Sequence, residues 1–375
     1  MQLETENCST RRSKTTKDRR LSDQALLRFR AGPGAYRSIQ SNGFDPQNIG
    51  TIAGASGGAK WLVLSQLDRV IVDRILPQLV APVHLIGSSI GAWRFSCYAQ
   101  NDPLAAIERF EELYVEQRYS DHPDIDEITD RSRDVLTQLL GPTGVREIVN
   151  NPTLRTHVMT VRSGSLAATE KKPTLAAILI LAATANILSR RSLGGFFKRG
   201  LFYDARDLPP FFDATGFPYE KIELSEENHA AAVLASGAIP LVLRGVRNIP
   251  GAPSGVYRDG GIIDYHLDFH TSDPGRLTLY PHFYDHLIPG WFDKRLSWRR
   301  NQGKHVDQTL LICPSDEFVA ALPNGKIPDR TDFQTMDPTQ RRSVWRGVIS
   351  ACRALADDLV NVLDKGSMAA RLETL

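Results

Sequence analysis

Cysteine is scarce and scattered: Cys8, Cys97, Cys313 and Cys352 form no CxxC pair and have no histidine close by in sequence. That excludes a disulfide framework and a zinc ribbon and fits a reducing compartment. A long apolar run is missing as well. The most apolar stretch, 174–188 (TLAAILILAATANIL), falls short of the roughly 20 residues that a spanning helix needs. It reads as a buried core helix, with a segment lying at a lipid interface as the alternative. The first twenty residues lack the apolar run of a signal peptide, so a cytoplasmic location is expected. Charge of one sign is not in excess, with 45 Lys and Arg against 43 Asp and Glu, which gives no ground for nucleic-acid binding. No HExxH, EF-hand loop, P-loop or helix-opening GxGxxG occurs, and Asp124 to Glu127 lacks calcium-loop spacing, so neither metal nor cofactor is expected.

What is present is uneven. Positions 11–20 (RRSKTTKDRR) hold six bases and one acid, leaving 39 bases and 40 acids over 21–375. Residues 1–21 therefore read as a disordered basic tail ahead of one domain over 22–370. From Ile49 short apolar runs alternate with helical patterns. Ile49 to Ala53 reads as a strand, GASGGAK as a turn, and Leu62 to Leu76 as a helix stopped by Pro77. Pro82 to Ile86 is a second strand, with a helix over Ala92 to Gln100 and another after the Asp102 cap and Pro103. Further strands are read at 155–162, 219–224 and 309–313. A helix capped by Ser225 runs to Ala238, and one long helix closes the chain over 338–365. Strands alternating with helices predict an α/β fold with a largely parallel sheet. The motif core spans 49–265, and the closing strand and helix span 305–365.

Chemistry concentrates in two GxSxG motifs and one DGG. Gly87-Ser88-Ser89-Ile90-Gly91 follows a strand and precedes a helix. A nucleophile on such a tight turn needs small neighbours, and Gly87 and Gly91 supply them around Ser89. Gly54-Ala55-Ser56-Gly57-Gly58 has the same context. Were Ser56 the nucleophile, Ala31 to Arg37 (AGPGAYR) would have to supply backbone donors. With Ser89 as nucleophile, Ser56 to Lys60 becomes a glycine-rich loop of N–H groups suited to an oxyanion, and both motifs are used. Asp259-Gly260-Gly261 places a carboxylate on a turn that another backbone can approach closely.

This arrangement resembles the patatin-like phospholipase family. That family carries a glycine-rich loop ending in a basic residue, then GxSxG, then a distant DGG or DGA preceded by ASxAxP. Here the counterparts are Ser56 to Lys60, Gly87 to Gly91, Asp259 to Gly261, and Ala235-Ser236-Gly237-Ala238-Ile239-Pro240. Two departures stand in the loop, Ser56 at its start and Trp61 after Lys60. The resemblance implies a three-layer α/β/α fold with a mainly parallel central sheet and helical insertions. It implies a serine acyl hydrolase of lipid esters, phospholipid, lysophospholipid or acylglycerol, working through a Ser89–Asp259 dyad. Backbone groups of Gly57, Gly58, Ala59 and Lys60 would form the oxyanion hole, with Gly87 and Gly91 flanking the nucleophile and Gly260 and Gly261 the base. Two rivals are a Ser-His-Asp esterase drawing on His266, His270, His282, His286 or His305, and an inactive lipid-binding protein. Two clusters, Arg190, Arg191 and Phe196 to Arg199, then Trp291 to Arg300, suit either peripheral contact with an anionic membrane or ordinary surface.

Overall fold

The computed structural model describes residues 25–213, 216–268, 275–300 and 305–375. The basic tail, Cys8 and His270 lie outside them. The described chain is a mixed α/β structure with a central, mainly parallel sheet flanked by helices. Eleven strands contribute: β1 (Leu27–Ala31), β2 (Ile49–Gly54), β3 (Val83–Ser88), β4 (Leu154–Ser163), β5 (Phe197–Tyr203), β6 (Tyr219–Glu223), β7 (Val246–Arg247), β8 (Val256–Asp259), β9 (Leu277–Pro281), β10 (Thr309–Pro314) and β11 (Leu372–Thr374). Their order is β11-β1-β10-β9-β2-β3-β4-β5-β6, with β8 on β4 and β7 on β8. The β10-β9-β2-β3-β4 run is parallel throughout, while β4 pairs antiparallel with β5 and β8. Every residue of β2, β3 and β10 is buried, as expected of strands covered on both faces.

The strand at 49–54, the strand at 83–88 and the helix Ile90–Tyr98 follow the sequence reading closely. So does the helix Pro103–Val115, whose Asp102 side chain accepts from the Ala105 N–H. Elsewhere the structure differs. The segment read as one helix from Leu62 is a tight 3-10 turn over Gly58–Val63, an α-helix over Ser65–Val70, a wider π turn over Ile71–Ile75 and a second 3-10 turn over Leu76–Gln78. The helix near Ser225 begins at His229, and the Asn228 side chain accepts from the Ser225 N–H instead. The closing helix is two, Pro338–Ala351 and Arg353–Asp364, meeting at Cys352.

The apolar stretch forms the helix Lys172–Leu188 but is not a core helix. Leu175, Leu179, Ala182 and Asn186 are buried, whereas Ile180 and Leu188 are 68% and 87% exposed. The cluster after it also divides: Phe197 and Arg199 lie buried in β5, and only Arg191 and Lys198 face outward. Among the described residues no helix is long and apolar enough to cross a membrane.

Candidate active site

The ruler for the site is β4. Ser88, the last residue of β3, pairs with Met159, while Asp259, the last residue of β8, pairs with Thr160. Two strands thus end against consecutive residues of one neighbour, which sets Ser89, just past the end of β3, beside Asp259 at the end of β8. Ser89 sits at the turn with φ 54° and ψ −125°, a conformation that a residue with a side chain adopts only under restraint. The restraint is packing of glycines. A Cβ on Gly91 would lie 1.9 Å from the Gly54 carbonyl oxygen, and one on Gly87 would lie 2.4 Å from the Ala92 nitrogen. Gly260 abuts the Met159 carbonyl in the same way, at 2.3 Å.

Within this frame Ser89 Oγ donates to Asp259 Oδ2 at 2.7 Å, and the Gly261 N–H donates to Asp259 Oδ1 at 2.7 Å. Burial pushes the Asp259 carboxyl up to about 6, against the pull of these two hydrogen bonds. The Ser89 N–H donates to Ser236 Oγ at 2.8 Å, and Ser236 Oγ donates to the Met159 carbonyl at 2.6 Å. Ser236, in the ASGAIP segment, therefore fixes the backbone of Ser89 to β4. The sequence singled out that segment without giving this serine a role.

Ser56 stands differently. Its Oγ hydrogen-bonds Ser88 Oγ at 3.0 Å, its N–H donates to the Tyr265 carbonyl, and no carboxylate among the described residues is hydrogen-bonded to it. Nor does AGPGAYR reach it: this segment ends β1 and opens the helix Pro33–Asn42, with Gly32 and Ala35 N–H groups bonded to Thr309 and Asp307 carbonyls. The loop after Ser56 does reach Ser89. Gly57 and Gly58 share a cavity of about 90 Å³ with Ser89 and Asp259, and their N–H groups have no backbone acceptor among the described residues. Ala59 lines neither cavity beside Ser89. The Lys60 N–H turns back to the Gly57 carbonyl at 3.4 Å. Its ammonium pairs with Asp329, which that contact and the Thr331 N–H hold down at about 2 in spite of burial. Lys60 is thus neither a surface lysine nor a free donor.

Two cavities meet at Ser89. The larger, about 410 Å³, is lined by Trp93, Tyr114, Val135, Leu243, Phe333 and Met336 among others, an apolar slot suited to a hydrocarbon chain. The smaller has cationic walls from Lys60, Lys294 and Arg330. Lys294 lies 4.2 Å from the Tyr265 ring centroid, and loss of solvent at its ammonium, with Lys60 and Arg330 nearby, lowers its pKa to about 8. Asp329 and Arg330 carried no signal in the sequence, because their loop is far from every motif, and Lys294 stood out there only within the Trp291 to Arg300 patch, not as part of the site.

The four candidate histidines among the described residues are placed elsewhere. His266 and His282 are buried with Nδ1 accepting from Ile288 and Tyr284 N–H groups, His286 is held by Asp285, and His305 lines a separate small cavity. None of these four lines a cavity at Ser89. Among the described residues no group of three metal-ligating side chains converges.

No family model matches this sequence, and no curated protein matches it. Among solved structures the chain is similar to the crystal structure of VipD from Legionella pneumophila, at 12% identity and a TM-score of 0.33, over 93% of this chain and 72% of that one.

Proposed function

We propose that this protein is a serine acyl hydrolase that cleaves carboxylic ester bonds of lipids through a Ser89–Asp259 dyad. The observation that carries this reading is the direct 2.7 Å hydrogen bond from a strained Ser89 to a buried carboxylate, at the floor of an apolar slot. Asp259 takes the proton as Ser89 Oγ attacks the ester carbonyl carbon, and the carbonyl π electrons move onto oxygen. The N–H groups of Gly57 and Gly58 receive that oxyanion, with the N-terminal end of the helix Ile90–Tyr98 adding a positive field. Collapse expels the alkoxide, which takes the proton from Asp259 and leaves an acyl-Ser89 ester. Water, deprotonated by Asp259, then releases the fatty acid and restores the serine. The order of the four sequence motifs supports the same reading.

The test is fluorophosphonate labelling together with fatty-acid release from phospholipid and from a short-chain ester. Ser89→Ala abolishes labelling and lowers turnover by about 10³-fold or more, and Asp259→Asn strongly reduces both. Ser56→Ala impairs them only in part. Full activity in Ser89→Ala, or neither labelling nor turnover in folded wild type, overturns the reading.

A further inference from the structure

The helix Lys172–Leu188 is apolar on the side turned to solvent as well as on its buried side. Ile180, Leu181, Ile187 and Leu188 are 68%, 56%, 55% and 87% exposed, and their spacing sets them along one stripe. Water is a poor environment for four large aliphatic side chains on one element, and such a patch marks an interaction surface. The stripe is held in place. Asn186 Nδ2 donates to Asp293 Oδ1 at 2.8 Å, and Arg299 donates to that same oxygen at 2.8 Å and to the Asn186 carbonyl at 2.6 Å.

Charge indicates what the stripe meets. No acid occurs between Lys171 and Tyr203. In that span Arg190 and Arg199 are tied to Asp293 and Asp264, and Lys198 is near Glu220. Lys171, Lys172 and Arg191 remain exposed, with no carboxylate partner among the described residues. Lys171 and Lys172 stand at the start of the helix, ahead of the stripe, and Arg191 just past its end. Lys171 and Lys172 are at the helix N-terminus, where a cation opposes the helix dipole and no acid lies in the first turn. Their charge is left open to a negatively charged surface outside the protein. Trp298, beside Arg299 and 62% exposed, suits the headgroup level of a bilayer.

The position relative to the site is equally specific. Under the helix lie Ile262 and Ile263, which directly follow the DGG turn. The turn Trp291–Asp293 touches the helix, and Trp291 and Lys294 line the small cavity at Ser89.

We propose that the outward face of the Lys172–Leu188 helix, with Lys171, Lys172 and Arg191 at its ends, is a docking surface for an anionic lipid bilayer. Apolar side chains enter the headgroup boundary and the cations meet lipid phosphates. Docking there brings the dyad to the plane in which lipid esters lie. The inference stands apart from the hydrolase reading, because binding is read without turnover.

The experiment is sedimentation with vesicles of phosphatidylcholine, with and without phosphatidylserine, using the full chain carrying Ser89→Ala. Expected are binding to the phosphatidylserine vesicles that weakens with salt, and binding about tenfold or more weaker for Leu181→Ser/Leu188→Ser. Lys171→Glu/Lys172→Glu/Arg191→Glu is expected to lose the preference for phosphatidylserine. Because all five positions are exposed, circular dichroism should be unchanged. Absence of binding, equal binding by Leu181→Ser/Leu188→Ser, or equal binding to both vesicle types overturns the proposal. So does a dimer in solution that Leu181→Ser/Leu188→Ser dissociates, since the face then belongs to a second copy.

Discussion

Ser89 and Asp259 are 170 residues apart in the chain, yet Ser89 Oγ and Asp259 Oδ2 are joined at 2.7 Å because β3 and β8 end against Met159 and Thr160 of one strand. A direct bond of this kind leaves no place for an imidazole between the two groups. In the proposed dyad Asp259 must be ionised to take the serine proton, and burial holds it at about 6. The acid limb of kcat/KM on a soluble ester is therefore expected near pH 6, falling about tenfold per pH unit below it. A limb that persists unchanged in Asp259→Glu sinks this assignment, since the longer carboxylate has different surroundings.

The same shift makes the site costly to fold. Asp259 has a folded value near 6 against about 3.9 unfolded. A carboxyl raised in this way contributes stability that is complete below about pH 4 and is lost as pH rises through 6. Asp259→Asn removes the ionised form while keeping an acceptor for the Gly261 N–H. In urea unfolding this variant is expected to exceed wild type by about 2 kcal/mol at pH 8 and by less at pH 5. An equal or lower stability at pH 8 contradicts the prediction.

Ser236 touches no reacting atom in this scheme, but it holds the backbone that does. Ser236→Ala leaves the Ser89 N–H and the Met159 carbonyl without their partner in a buried place, at a cost of about 1–3 kcal/mol. The turn then relaxes from φ 54°, so kcat is expected to fall about tenfold or more while KM stays near its original value. Ser236→Cys, with a weak donor and acceptor, should recover little. Unchanged kcat in stable Ser236→Ala protein removes the positioning role.

The sequence made the strand-elbow-helix at 83–98 legible because its glycines are demanded locally, each by a carbonyl or nitrogen within reach of a Cβ. It did not reveal β8, whose four residues Val256–Asp259 are too few to show a period and pair only through β4 and β7. The α/β class was readable from alternation, but the antiparallel β1 and β5 were not: β1 pairs with β10 near the other end of the chain, and β5 follows β4 across a helix, a connection that alternation alone reads as parallel. The helix Lys172–Leu188 misled for a simple reason: apolar composition on every side looks the same whether protein or solvent lies beyond it. Lys60 showed only a basic residue after glycines, while its partner Asp329 comes from a loop 269 residues on.

Buried histidines set an acid limit on the fold. Burial lowers His84 and His229 to about 4 and His282 to about 3. Each contributes stability that is complete above about pH 6.5 and falls by about 1.4 kcal/mol per pH unit as the solution is acidified toward the folded value. Both ring nitrogens of His229 lack a hydrogen-bond partner among the described residues, so an apolar side chain loses nothing there. His229→Leu is expected to match wild type at pH 7.5 and to be more stable at pH 5, by about 2 kcal/mol. Parallel pH–stability curves for the two proteins rule out a titrating His229.

The helix Ile90–Tyr98 is anchored by Asp68, whose Oδ2 accepts from Arg94 Nε at 2.9 Å and whose Oδ1 accepts from Arg94 Nη2 at 2.6 Å and Tyr98 OH at 2.7 Å. Arg94 and Asp68 are 2% and 1% exposed at the side chain, so neither has water to fall back on. Removing the acid alone strands a buried guanidinium in the helix that begins just after Ser89. Asp68→Ala is expected to cost about 3–5 kcal/mol, whereas Asp68→Ala combined with Arg94→Met removes both charges and recovers much of that loss. The double-mutant cycle separates the two causes of damage, since a coupling near zero means that Asp68 acts by packing alone. Turnover in the double variant should return with stability, because the glycine contacts around Ser89 and its Ser236 tether are untouched. A stable but inactive double variant instead assigns the Arg94 charge a part in the chemistry at Ser89.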